Sequence, residues 1–476
     1  MSGSNSNCTG QTCAGDASSR LPVLYLFAGG IAWLFAGIAL SLAAAAKLQF
    51  PALLTVCEGL TYGRLVAAAG PAFTLGFALQ TGFGLALWLL ARTGQSRVAV
   101  PGIAFVVSLV LNASLTLGIG AILLLGPTGI PGLEIPRQAA PLILAAVGLL
   151  SLIGIATYAS AEAGCGSPAR AHLLAALVTI PVLYLTAQLG LLFLPIRGVS
   201  QSITAGWFQQ GFLYLGLAPI ALAALYYLVP LLTERPARST ALAPIAFWSW
   251  TIFAAWTGAV DWVGGPIPAW WLTVGIAANV LLVIPTTLFF INFQGACLFS
   301  RKVPVRFAAV STISLFVWGG LNAIFSPRCA QSLVHFTEFN VGLHELFLFG
   351  FLAPALFTGI YAAVPKLAGR EFPCRITPQV HWFFTAAGVA LMVGSNLAGG
   401  YLQGRHLAVA GVPLVAVDHS LRPWLLIHAA GLACFGFAQV ALVANSAWLL
   451  FECVKPLKDP VISLFATTPA STASGK

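Results

Sequence analysis

Long apolar runs, more than any catalytic signature, constrain this chain. Twelve stretches carry almost no charge: residues 21–46, 68–92, 98–126, 138–160, 170–195, 203–233, 242–264, 271–296, 305–326, 338–365, 376–398 and 421–452. A helix of about 20 apolar residues spans a bilayer core. Only 7% of the 476 residues are charged, against about 25% in a soluble domain. The fold class read from this is an all-α membrane protein, a twelve-transmembrane-helix bundle. Several runs exceed 25 residues and must tilt, kink or extend beyond the hydrocarbon.

An even number of spans puts both termini on one side. With the termini cytoplasmic, 15 of the 22 basic residues fall on inside segments, as the positive-inside rule requires. The net charge of +10 then describes a cytoplasmic face against anionic lipid, and no basic run points to nucleic acid. Residues 1–20 are small and polar and lack the parts of a signal peptide. They read as a disordered cytoplasmic tail, followed by a transmembrane domain over 21–455 and a flexible cytoplasmic tail over 456–476. Cys8 and Cys13 have no second Cys or His pair nearby for zinc. Cys57 and Cys329 fall on the outer side, where an oxidising periplasm would allow a disulfide. Nucleotide-binding, zinc-protease and covalent-haem signatures are absent.

Polar groups inside the spans are few, and such groups are costly unless used. "HFTEFNVGLHELFLFGF", residues 335–351, holds the densest set. On a helix, His335, Glu338, Gly342 and Glu345 share one face. His335 and Glu338 read as solvated groups at the outer mouth. Glu345, next to His344, needs a partner there, either His344 or an Arg or His of a facing helix. Asp261 reads as a helix end, and His172 and His428 as interfacial or hydrogen-bonded rather than ligating. Only seven His exist, and His344 alone reads as well inside a span, which is thin for a multi-metal site.

Four stretches together resemble subunit I of the C-family (cbb3-type) haem-copper cytochrome c oxidases. They are "EGLTYGRLVAAAGPAFTLGFALQTGFGLALWLLART", "GWFQQGFLYLGLAPIALAALYYLVPLLTERP", "HFTEFNVGLHELFLFGFLAPALFTGIYAAVPKLAGREFP" and "GSNLAGGYLQG". The resemblance covers about residues 20–455. It implies a twelve-helix bundle in a bacterial cytoplasmic (inner) membrane, with two haems b and one copper held by six His, and one Tyr. The low-spin haem position in the second span falls on Ala69. The copper position of the sixth falls on Gln210. The His pair of the seventh falls on Val260 and Asp261, and the Tyr on Ala254. The two haem positions of the tenth fall on Leu343 and Glu345. The chain thus resembles a divergent paralogue that keeps the scaffold, with Arg64, Trp207, His335 and Glu338, but not the ligands. No cofactor is expected, where the family would carry haem b and copper. The vacated volume must be filled, and Phe73, Phe208, Phe212, Phe347 and Phe349, or lipid, are the expected filling.

Three functions follow as expectations. The first is a redox-silent platform for a membrane-anchored c-type cytochrome or another respiratory subunit. The second is a terminal oxidase or nitric oxide reductase with unusual ligands drawn from His335, His344, Glu345 and Asp261. The third is ion, proton or small-molecule transport using Glu338, Glu345 and Asp261.

Overall fold

The computed structural model describes residues 5–162, 166–194, 196–298 and 300–465; the side chains of 5–14, 261, 450 and 452–465 lie outside that description. Twelve principal helical elements follow one another. They are α1 (Asn5–Gln49), α2 (Tyr62–Thr93), α3 (Pro101–Leu125), α4 (Ala140–Ala159), α5 (Pro168–Phe193), α6 (Val199–Thr233), α7 (Leu242–Ala254), α8 (Ala269–Cys297), α9 (Val303–Phe325), α10 (Glu338–Ala368), α11 (Thr377–Leu407) and α12 (Leu414–Phe465). Among the described residues, eleven are long and apolar enough to cross a membrane. The chain is a multi-pass membrane protein.

The seventh expected span, 242–264, is present as a helical element but is shorter as a continuous α-helix than expected. α7 stops after 13 residues and passes into a tight 3₁₀ turn, Thr257–Trp262. The break lets backbone approach backbone, because a Cβ on Gly258 or Gly206 would overlap the other's carbonyl oxygen. Ala254, the last residue of α7, and Val260, within the turn, are both buried.

The tail boundaries are also corrected. Residues 15–20 are helical as part of α1, with Ser19 fully buried. Asp16 fixes them: Arg92 donates to its two carboxylate oxygens at 2.9 Å each, and Trp88 Nε1 donates to it at 2.9 Å. Helix α12 likewise runs to Phe465, past the expected start of the flexible tail at 456. Cys8 and Cys13 lie outside the described side chains. Cys57 and Cys329 are both free and exposed, so the structure contains no disulfide between them.

The centre of the bundle is α2, α6 and α10, whose most apolar windows are 94%, 78% and 94% buried. Each contains a π-helical segment: Ala72–Leu79, Phe212–Leu217 and Leu346–Leu352. A wider turn leaves carbonyls without their usual donors, and in lipid they must find others. They do so on neighbouring helices. Pro219 has no N–H for the Leu215 carbonyl, and Thr179 Oγ1 lies 2.7 Å from that oxygen. Trp250 Nε1 donates to the Tyr214 carbonyl at 2.8 Å, and Ser311 Oγ to that of Phe351 at 2.8 Å.

Candidate functional site

Residues four apart stack on one helix face, so the side chain one turn beyond each expected ligand position shows what occupies its neighbourhood. Ala69 is followed by Phe73, Gln210 by Tyr214, Leu343 by Phe347 and Glu345 by Phe349. All four are aromatic. Phe73 and Phe349 meet edge to face at 4.6 Å, joining α2 directly to α10, and Phe349 meets Phe435 of α12 at 5.2 Å. Phe347 lies 4.7 Å from Tyr214 and 4.9 Å from Trp318, and Tyr214 lies 5.0 Å from Trp318. Trp250, one turn before Ala254, completes this group at 6.3 Å from both Tyr214 and Trp318. Phe208 and Phe212 pack on Tyr184 at 6.0 and 6.1 Å.

Rings at these separations are in van der Waals contact and leave no slot for a macrocycle between them. Ala69, Val260 and Leu343 offer no donor atom to a metal. Where their packing is described, the side chains at the expected positions do not fit axial ligation of two haems. Asp261's side chain lies outside the described residues.

Glu345 is instead part of a polar triad. Its Oε1 lies 2.8 Å from His428 Nε2, and its Oε2 accepts from Asn396 Nδ2 at 2.9 Å. Gly342 makes this possible. A Cβ there would lie 3.0 Å from both Asn396 Cβ and the Leu397 nitrogen, so its absence lets α11 close on α10. Glu338 lies within electrostatic reach of both His428 and Glu345. Of the two partners expected for Glu345, the structure has the facing-helix His of α12, and His428 is hydrogen-bonded as its position suggested. His344, adjacent in sequence, points elsewhere.

His335 departs from the expected shared face. The helix begins at Glu338, where Thr337 caps it by accepting from Phe339 N–H at 3.3 Å. His335 lies beyond that cap, half-buried, its ring 3.9 Å from Phe336. Arg64 also stays outside the triad. It donates to the carbonyls of Glu58 at 3.0 Å and Leu123 at 3.1 Å, tying the loop before α2 to the end of α3.

His344 faces a cavity of about 90 Å³ that it shares with Glu134, Gln209, Thr74 and Phe208. Glu134 belongs to a turn-rich loop with Gly126, Gly129 and Gly132 at positive φ. Burial pushes its carboxyl above the ordinary carboxylate range, opposed in part by backbone N–H groups that include Gly132, 2.8 Å away. Sequence reasoning passed over Glu134; the "GPTGIPGLE" run signalled a turn, not its inward fold.

A second triad was missed. Tyr361 Oη lies 2.9 Å from His381 Nδ1, and His381 Nε2 lies 3.1 Å from Gln439 Oε1. His381 is fully buried among Phe307, Phe357 and Tyr361. His172 is buried too, its Nδ1 2.8 Å from the Pro168 carbonyl. His344 is therefore not the chain's most interior His, as the sequence suggested. Among the described residues, no three His, Cys, Asp or Glu side chains form a group that could hold a metal ion.

Comparison with known proteins agrees with the fold. The chain is 23% identical over 457 residues to Cbb3-type cytochrome c oxidase subunit CcoN1 of Stutzerimonas stutzeri, covering 90% of this chain and 94% of that one. It is 24% identical over 442 residues to a bacteroid cytochrome c oxidase subunit 1 homolog of Bradyrhizobium diazoefficiens, covering 88% and 79%. The cryo-EM structure of a heme-copper terminal oxidase dimer superposes with a TM-score of 0.72 at 14% identity, covering 92% of this chain and 84% of that one. The family described as Cytochrome C and Quinol oxidase polypeptide I matches residues 21–434, and the chain belongs to it.

Proposed function

We propose that this chain is a redox-silent member of its family, an integral membrane subunit that carries a respiratory partner. One observation supports the reading most. Around the positions where the resemblance puts Ala69, Gln210, Leu343 and Glu345 in place of ligands, the helices are joined ring to ring. Glu345 is already engaged by His428 and Asn396. The partner is a membrane-anchored c-type cytochrome or another respiratory subunit, docked on the outer face that keeps His335 and Glu338. Both termini lie in the cytoplasm on this reading.

The test is the reduced-minus-oxidised spectrum of the complex purified from native membranes, with iron and copper measured per chain. The expected result is no b-type haem in this chain, with c-type haem on a co-purifying subunit. One b-type haem or more per chain overturns the proposal and returns the chain to the catalytic members.

A second reading rests on the Glu345–His428 pair. Ionisable groups paired within a bundle mark ion or proton paths. Proteoliposomes carrying the chain would then show flux that Glu345→Gln abolishes. Flux unchanged in that variant removes the transport reading.

A further inference from the structure

We infer that the groove between α1, α10 and α12, at the end of the bundle carrying Arg20, binds one anionic glycerophospholipid, its phosphate on Arg20 and an acyl chain in the groove. The cavity is about 100 Å³, and its walls include Leu24, Phe27, Ile31 and Val364. These are hydrocarbon surfaces. On α1 the lining runs from Arg20 through Leu24, Phe27 and Ala28 to Ile31, so the cation stands at one end of that wall, and Ser446 is the other polar residue in the lining. An apolar trough with a cation at its rim matches a lipid in both parts.

The charge at the rim is what selects an anionic head group. Asp16, one turn before Arg20, is held by Arg92 through both carboxylate oxygens. Among the described residues, no carboxylate pairs with Arg20. Among the residues lining the groove, Arg20 alone is charged, so the rim is cationic. Basic pockets between helices recruit acidic lipids by this logic, each basic group near the surface giving about fivefold in affinity. The inference does not depend on whether the chain binds haem.

The test uses the full chain, delipidated in detergent and offered phosphatidylglycerol or phosphatidylcholine, with bound lipid counted by native mass spectrometry. The wild type should retain phosphatidylglycerol in preference. Arg20→Gln should reduce that preference about fivefold, and Arg20→Lys should keep most of it. Ala28→Trp, which fills the groove wall, should remove the tightly held lipid of either kind. Equal retention of the two lipids by the wild type overturns the proposal. So does an unchanged preference in Arg20→Gln with the variant's melting temperature intact, or full lipid retention by Ala28→Trp.

Discussion

Helices α10, α11 and α12 build two histidine triads with opposite chemistry. Nearer the start of α10, they join Glu345, Asn396 and His428; further along, they join Tyr361, His381 and Gln439. Glu345 and Tyr361 are 16 residues apart on α10, about 24 Å along a helix. The first triad holds a carboxylate, and its ion-paired side chains keep 12% and 18% of their exposure. The second holds only neutral partners and is sealed, with His381 at 0%. A neutral triad can be closed completely because each polar atom meets a complementary one. A carboxylate with an imidazole stays nearer water, where the cost of desolvating charge is lower.

That contrast orders the expected effects. His381→Ala should be the most damaging, because it opens a cavity among aromatic rings and strips partners from Tyr361 and Gln439. A loss of about 3 kcal/mol is expected, read as a fall in the midpoint of thermal unfolding in detergent. Glu345→Ala should cost less, about 2 kcal/mol, because partial exposure discounts the pair. If it costs more than His381→Ala, the comparison is the wrong way round. Tyr361→Phe removes one neutral hydrogen bond and should cost about 1 kcal/mol. Denaturation midpoints of the three variants, measured side by side, settle the order.

The smallest effect belongs to Glu134, a half-buried carboxylate outside the membrane spans. Its carboxyl titrates above its ordinary 4.5 when folded, so the folded state holds this proton more tightly than the unfolded chain. The corresponding stability is present below that ordinary value and is lost as pH rises through the raised one. Glu134→Gln should flatten the stability profile across that window. A wild-type profile equally flat there would show that the loop leaves Glu134 solvated.

Much of this molecule was legible in its sequence. Apolar run length gave all twelve elements, eleven of them long enough to span, because lipid leaves a helix few alternatives. The run at 242–264 misled because its hydropathy continues where its backbone does not: Gly258 and the following Gly-Gly-Pro permit a turn, and only the contact with Gly206 demands one. The need of Glu345 for a partner was readable from the cost of burying charge. Its partner was not, since 83 residues separate it from His428 and only the bundle's helix order joins them. His381 gave no local signal, because a satisfied buried His has the same neighbours in sequence as an interfacial one.

The π-helical segments of α2, α6 and α10 bear on how this chain tolerates insertion and deletion. Such a segment holds one residue more than the α-helix that would join the same two ends. Removing one residue from within Leu346–Leu352 would close it to ordinary helix and leave both flanks in phase. The same removal in the regular helix after Ala353 would turn everything beyond it by about 100°, carrying Tyr361 away from His381. Each central span therefore contains a spare residue, so its length can change by one without loss of register.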